Sequence, residues 1–591
     1  MNKIQYMRII QCHIRILVAI CMVMLISPWA CNPLTQEIKP NVIIVLTDDQ
    51  GYGDLSCHGN PVLKTPNLDQ LRTESVRFAD FHVSAMCTPS RGQILTGMDA
   101  FRNGATCVSR GRSLIQPGIP TMADLFSANG YKTAIFGKWH LGDNYPYRPQ
   151  DRGFQETVHH AAWGITSIPD YWTNDYFDDK YLHNGVYEAY EGYCTDVWFN
   201  ETMNWMKERQ KNDEPFFVYL PTNAPHSPLW VAEKYSEPYA DFPEVKDFYG
   251  MISNIDENMG RLMAMLDETG LRENTILIFM TDNGTSVGHK VFNAGMRVHK
   301  TQLYDGGHRV PFFISWPDGN IGESRDVCDL AQSQDILPTL MDLCKLKTTE
   351  ALSVDGISLA EVLSGKQESL PDRMCVVQYD RHVDGLTGKW ESAVLWNKWR
   401  LVNGEELYNI DSDPGQGKDI SDDYPDIIKK MRDHYETWWS EVEPGRSKLY
   451  AIRIGSEEEN PVNLTSCDWD GAYSDNWWQL RTGGYNGIWH LYVEESAEYE
   501  FELRRWPVEA DTPISASATK PGYNNEGEAL PIVMARIEIA DVELSKPVSQ
   551  ADISITFTMS LSAGDTQMKT WFLDEQGNDL CGAYYMNVRK L

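Results

Sequence analysis

Clustered positive charge is the first thing this sequence lacks. Its 591 residues carry 52 Lys and Arg against 84 Asp and Glu, a formal net charge of -32. Phosphate backbones are held by grouped Lys and Arg, so a nucleic-acid partner is excluded. A small anionic substrate is not excluded, but its pocket has to be basic locally, against the field of the whole chain. A membrane-spanning run is absent as well. The apolar stretch Ile16–Ile26 is too short to cross a bilayer. Lys3, Arg8 and Arg15 precede it and Ser27-Pro-Trp-Ala30 follows, so residues 1–30 read as a signal peptide rather than as an anchor or a buried helix. Export to the periplasm or the cell surface is expected. Cys31 stands where a lipoprotein carries its lipid, although Pro28 and Trp29 fit the usual signal poorly, so a lipid anchor there stays open. Nine cysteines follow with no CxxC pair, which argues against a zinc ribbon. Export allows disulfides among them, but spacing gives no connectivity. Internal repeats and low-complexity tracts are also lacking.

What is present is length enough for two or three domains. Short β-branched runs recur between helix-capable stretches: NVIIVLTDD (41–49), YKTAIFGKWH (131–140), PFFVYLPTNAPH (215–226) and TILIFMTDNG (275–284). Such spacing predicts an α/β fold with a large, mostly parallel sheet covered by helices, over residues 31–371. Residues 372–445 predict a small antiparallel sheet with turns followed by a helix near 425–444. From 446 to 591, alternating segments such as WHLYVEESAEYEFELRRWP predict an extra β-sandwich.

Polar residues gather at the ends of the four runs, where open α/β sheets bind ligands. Asp48 and Asp49 end one run and Asp282 and Asn283 another, an oxygen-only set suited to Ca²⁺ or Mg²⁺ rather than zinc. One Asp-Asp pair alone is more often a turn or a cap; two strand ends together make a site. Lys138 and His140 close a third run and His226 the fourth, with Arg91 and Lys300 nearby in the sequence. Cations aimed at one cleft beside a metal form a clamp for an oxyanion in transfer.

SAMCTPSRGQILTG (84–97) and GYKTAIFGKWHLG (130–142) resemble the two signature segments of the type I sulfatases, the formylglycine-dependent branch of the alkaline-phosphatase superfamily. The likeness runs from Asn41 to about Pro444, through APHSP, TDNG and KTQLYDGGHRVP; Asp305 stands where Glu is common. The resemblance implies an alkaline-phosphatase-like fold and oxidation of Cys87 to formylglycine by a formylglycine-generating or an anaerobic sulfatase-maturating enzyme. It further implies a metal held by Asp48, Asp49, Asp282, Asn283 and the modified Cys87. Arg91, Lys138 and His140 would tend the aldehyde hydrate, and His226 and Lys300 would face the leaving-group oxygen. The implied reaction is hydrolysis of a sulfate monoester, on a sulfated carbohydrate or an aryl sulfate. Two other readings stand beside it: a phosphonate monoester or phosphodiester hydrolase of the same superfamily, and a glycan-binding surface lipoprotein with a relic core. The aromatic insertion 159–179 offers Trp163, Tyr171 and Trp172 as a sugar subsite or as local core, and Trp477, Trp478, Trp489 and Trp506 look exposed enough for the sandwich to hold a glycan.

Overall fold

Seven consecutive buried residues, Asn41–Thr47 (β1), can only sit inside a sheet that is covered on both faces. In the computed structural model, which describes residue 2 and residues 39–319, 321–348, 351–381 and 385–591, β1 lies near the middle of a ten-stranded sheet. The other strands are β2 (Val76–His82), β3 (Lys132–Lys138), β4 (Glu156–His160), β5 (Lys180–His183), β6 (Val186–Ala189), β7 (Phe216–Pro221), β8 (Thr275–Thr281), β9 (Phe312–Ser315) and β10 (Arg325–Gln332). Their order is β10-β2-β9-β8-β1-β7-β3-β4-β5-β6. The central run β8-β1-β7-β3-β4 is parallel throughout. β9 runs antiparallel to both its neighbours, and so do β5 and β6 to theirs. The expected parallel sheet is therefore parallel at its centre and mixed towards its edges. The signal-peptide and Cys31 readings lie outside the described residues.

Alternation along β1 divides the core in two. Val42, Ile44 and Leu46 pack with Ile94, Phe126 and Leu337, whereas Ile43 and Val45 pack with Leu68, Trp198 and Ile255. The helices Pro66–Thr73 (α1), Cys87–Thr96 (α2), Met122–Ala128 (α3), Cys194–Lys211 (α4), Lys246–Thr269 (α5) and Ile336–Leu343 (α6) supply these layers. α2, α3 and α6 cover one face, and α1, α4 and α5 the other. Because the central strands are parallel, the residues following β1, β3, β7 and β8 all emerge at one edge.

Four antiparallel strands, β11 (Cys375–Val377), β12 (Ala393–Trp396), β13 (Trp399–Val402) and β14 (Glu406–Asn409), form the second sheet. One face packs on Met431, Tyr435 and Trp439 of α7 (Pro425–Val442); the other packs on Leu303 and Leu330. Two further sheets, of six and four strands, follow Gly445. Tyr499, Phe501 and Leu503 of one sheet and Ala535, Ile537 and Ile539 of the other enter a common core. That core takes Trp477, Trp489 and Trp506, which are 1 %, 0 % and 1 % exposed, so these three are packing residues and not a glycan platform. Strand and helix aromatics this large are worth more buried than displayed. Trp478 alone of the four is exposed, at 53 %. The same core also takes Leu114, Tyr147, Ile168 and Trp172 from the first part of the chain, and residues Pro40–Leu591 form one compact unit. All nine cysteines from Cys57 to Cys581 are free thiols. Among the described residues no helix is long and apolar enough to cross a membrane.

Candidate active site

α2 is buried on every side, its polar residues Thr88, Ser90, Arg91 and Gln93 included, and its first residue is Cys87. A helix with no solvent face is held by what its polar side chains meet. Arg91 donates from Nε and Nη2 to Asp282 Oδ2 at 3.0 and 2.7 Å, and from Nη1 to the Lys138 carbonyl at 3.0 Å. These bonds fix the helix start against the ends of β8 and β3. The Cys87 thiol and carboxylate oxygens of Asp48 and Asp282 all lie within 4.8 Å of one another. Burial pushes the thiol pKa up, with Lys138 and Lys300 opposing, so the sulfur is not an activated thiolate.

Asp49 and His140, just past β1 and β3, have φ of +70° and +60°. The left-handed region is open to Asp and His more readily than to most residues, and it turns the chain sharply at the sheet edge. Gly137 permits the approach of β3 to β7: a Cβ there would sit 2.0 Å from the Pro221 carbonyl oxygen, at φ +127°. Lys138 Nζ is thereby directed onto Asp48 Oδ2, and Lys300 Nζ reaches Asp49 Oδ1. Asn283 Nδ2 donates to Asp49 Oδ1 at 2.9 Å, and the Asp49 N–H donates to Asp282 Oδ1 at 3.3 Å. His226 Nε2 lies 3.8 Å from Asp49 Oδ2 and is the more open side of the cluster, 17 % exposed.

The charges sort by what faces each group. Burial alone would raise Asp48, but Lys138, His226 and Arg91 hold it below the usual carboxylate range. Asp282 goes the other way, to about 7, because burial and then the Asp48 carboxylate outweigh Arg91. Burial opposes the charge on Lys300, but Asp49 prevails and raises its pKa. His226 is lowered by burial, against Asp49. His140 is lowered well below its ordinary value by burial and then by Lys138. Its Nε2 lies 2.9 Å from the Val108 carbonyl and 3.0 Å from Thr88 Oγ1. A carbonyl only accepts, so Nε2 carries the proton and Nδ1 keeps a bare lone pair, buried without a partner.

Ten residues singled out in the sequence thus meet in one place: Asp48, Asp49, Cys87, Arg91, Lys138, His140, His226, Asp282, Asn283 and Lys300. Trp163 joins them, its ring 5.3 Å from that of His226. Trp172 does not. It is 5 % exposed and packs edge-on against Trp477 at 5.8 Å, so it is core and not subsite. Tyr171 is directed to β5 and β6, bonded to Lys180 Nζ at 2.9 Å and set against Tyr187. Thr88 and the Val108 carbonyl, which fix His140, escaped the sequence reading, as did Tyr379, whose hydroxyl donates to the Thr301 carbonyl at 2.8 Å beside Lys300. Thr88 lies inside CTPSR and was available there; nothing in the sequence marks Tyr379.

The family profile described as sulfatase matches residues 40–346, just over half of the chain. The chain belongs to the sulfatase family. Its enzyme class is accordingly that of the sulfuric ester hydrolases. Among its relatives, the N-acetylgalactosamine-6-sulfatase of Canis lupus familiaris is 27 % identical over 467 residues, 69 % of this sulfatase and 88 % of its own length. Arylsulfatase A of Homo sapiens is 31 % identical over 64 % of this chain and 77 % of its own. Among solved structures, that of Ps i-CgsB in complex with k-i-k-neocarrahexaose superposes with a TM-score of 0.61 at 26 % identity, covering 68 % of this chain and 92 % of that one. The alkaline-phosphatase-like fold is thereby established.

Proposed function

We propose that this sulfatase is an exported enzyme that hydrolyses sulfate monoesters of a sulfated glycan, using an aldehyde hydrate made from Cys87 and a bound divalent cation, Ca²⁺ in first place and Mg²⁺ in second. The observation that carries this reading is the buried Cys87 thiol, set among carboxylate oxygens with Arg91, Lys138 and Lys300 around it. A thiol with a raised pKa facing carboxylates is a poor nucleophile, and the position suits the oxidised residue better. Two oxygens support the cation: Asp48 Oδ1 and Asn283 Oδ1, one from each strand end, are buried with no hydrogen-bond partner. Buried acceptors of this kind call for a positive partner, and an oxygen-only set fits a hard ion.

When in place, the cation would draw charge from a sulfate oxygen, and the hydrate would supply the attacking oxygen and a second hydroxyl whose deprotonation expels sulfate and restores the aldehyde. Asp48, Asp49, Asp282 and Asn283 would hold the ion. Arg91, pinned by two bonds to Asp282, keeps a fixed positive charge next to residue 87. Lys138 orients the hydroxyls, and the bare Nδ1 of His140 is the acceptor for the second proton. His226 and Lys300, on the open side, face the leaving-group oxygen, and one of them donates to it. Such groups act by stabilising charge that develops as the S–O bond breaks.

The carbohydrate part of the reading is supported by the relatives, one named for N-acetylgalactosamine 6-sulfate and one crystallised with a neocarrahexaose. Cys87 has to meet a formylglycine-generating or anaerobic sulfatase-maturating enzyme before folding buries it. The test compares 4-nitrophenyl sulfate with bis(4-nitrophenyl) phosphate on protein made with a maturase. Turnover of the sulfate should dominate, vanish in Cys87→Ala, vanish on chelation and return with Ca²⁺. Dominant phosphodiester turnover, or full sulfatase activity in Cys87→Ala, would overturn the proposal.

A further inference from the structure

The loop after β4 is tied to the C-terminal sandwich through its first half, while its second half bonds back to β5 through Asn174 and Lys180. Trp163 Nε1–H donates to the Asp475 carbonyl at 3.1 Å, and the Ile168 N–H donates to that same oxygen at 3.0 Å. Thr166 Oγ1 lies 3.1 Å from the Tyr523 hydroxyl. Lys520 Nζ donates to the Trp172 carbonyl at 3.3 Å and sits 4.5 Å over the Trp172 ring. On the other side, the Ala162 N–H is held by both oxygens of Asp143, three residues beyond His140. In the first half of the loop two residues are strained, Ala162 at φ +47° and Thr166 at φ +80°. A β-branched residue in that region is a true outlier, which only its surroundings can enforce. The result of this forced path is one half-buried indole held 5.3 Å from the His226 ring, at 45° between planes. Next to it, a Cβ on Gly164 would meet nothing within 4 Å although the residue is buried, so there is free space beside the loop at this point.

We infer that Trp163 is a specificity-determining wall of the sulfate-ester site, and that the sandwich belongs to the active site because it positions this wall. The inference rests on the proposed placing of His226 at the leaving-group oxygen. The sulfate end of a substrate meets only cations and carboxylates, whereas the carbon skeleton behind the ester oxygen has to pass the indole. A flat apolar face suits Trp there: the C–H face of a pyranose ring or an aryl ring. Trp163 touches substrate but not the transferred group, so its contribution falls on binding the skeleton. The sandwich residues Lys520 and Tyr523 act through the loop and are positioning residues.

The test is kinetic, on 4-nitrophenyl sulfate, with inorganic sulfate as a competitive inhibitor. Trp163→Ala should raise KM about tenfold, equivalent to ~1.4 kcal/mol of lost skeleton binding, with kcat changed less than about threefold. The Ki of sulfate should stay the same, and Trp163→Phe should recover most of the KM. Tyr523→Phe, far more conservative, and Lys520→Met should each raise KM in the same direction without moving the Ki of sulfate. An unchanged KM in Trp163→Ala, or a sulfate Ki that rises with it, overturns the wall. An unchanged KM in both sandwich variants overturns the positioning role. Loss of the proposed chemistry itself would show elsewhere, as wild-type protein without sulfatase turnover.

Discussion

Arg91 shows at the scale of one residue how binding and folding share the same group. It is fully buried, and its guanidinium donates two hydrogen bonds to a single oxygen of Asp282. Removing it leaves a carboxylate buried without its cation, a loss on the order of 3–5 kcal/mol. Arg91→Ala should therefore lose activity and also shift the denaturant midpoint far down. Arg91→Lys keeps the charge but not the fork, and should fall between in stability with activity still lost. Equal midpoints for wild type and Arg91→Ala would show that the pair carries no stability. The sequence made Arg91 legible through its place in CTPSR, and Asp48, Asp49, Asp282 and Asn283 through their places at strand ends. It could not separate Trp163 from Trp172. Both are tryptophans in one insertion, and only the chain folded from residue 475 onward decides that one faces His226 and the other Trp477.

At the scale of elements, the four apolar runs read as strands became β1, β3, β7 and β8, the parallel centre that carries the site. Two of the flanking strands were not legible, for physical reasons. All four residues of β6 are exposed, so no burial pattern marks it, and β9 is four residues long. α2 has the opposite difficulty, since burial on every side erases the helical stripe and leaves only the motif. The close crossing of β3 and β7 at Gly137 leads to a prediction. Gly137→Ala places a methyl against the Pro221 carbonyl at a φ unsuited to alanine, and should cost well over ~1 kcal/mol. Because the next residue is Lys138, kcat should fall with the thermal midpoint. A variant as stable and active as wild type would mean that the strands part without disturbing the lysine.

Over the whole molecule, the sandwich and the catalytic sheet meet across two half-buried acids, Asp143 and Asp468. Burial and then the Asp143 carboxylate raise the Asp468 pKa to about 8. Its folded pKa thus lies above its unfolded value of roughly 4. The neutral acid is the stable folded form, so this group's contribution is fully present below pH ~4 and is lost as pH rises towards about 8. Asp468→Asn removes the titration. Between pH 5 and pH 8 the thermal midpoint of the parent should fall further than that of the variant, by a few degrees, and parallel curves would contradict the assignment. The fold class of this part was legible from alternation in the strands. Its contact with the active site was not, because the joining atoms are a backbone carbonyl at Asp475 and two side chains near 520 with no motif around them. In the proposed function all of these arrangements serve residue 87, so its chemical identity in the working enzyme is decisive. The direct measurement is mass spectrometry of the peptide bearing position 87, from protein with and without a co-expressed maturase, set against turnover of each sample. An aldehyde should stand in place of the thiol, with activity proportional to its fraction. Fully active protein that carries an unmodified Cys87 thiol would contradict this.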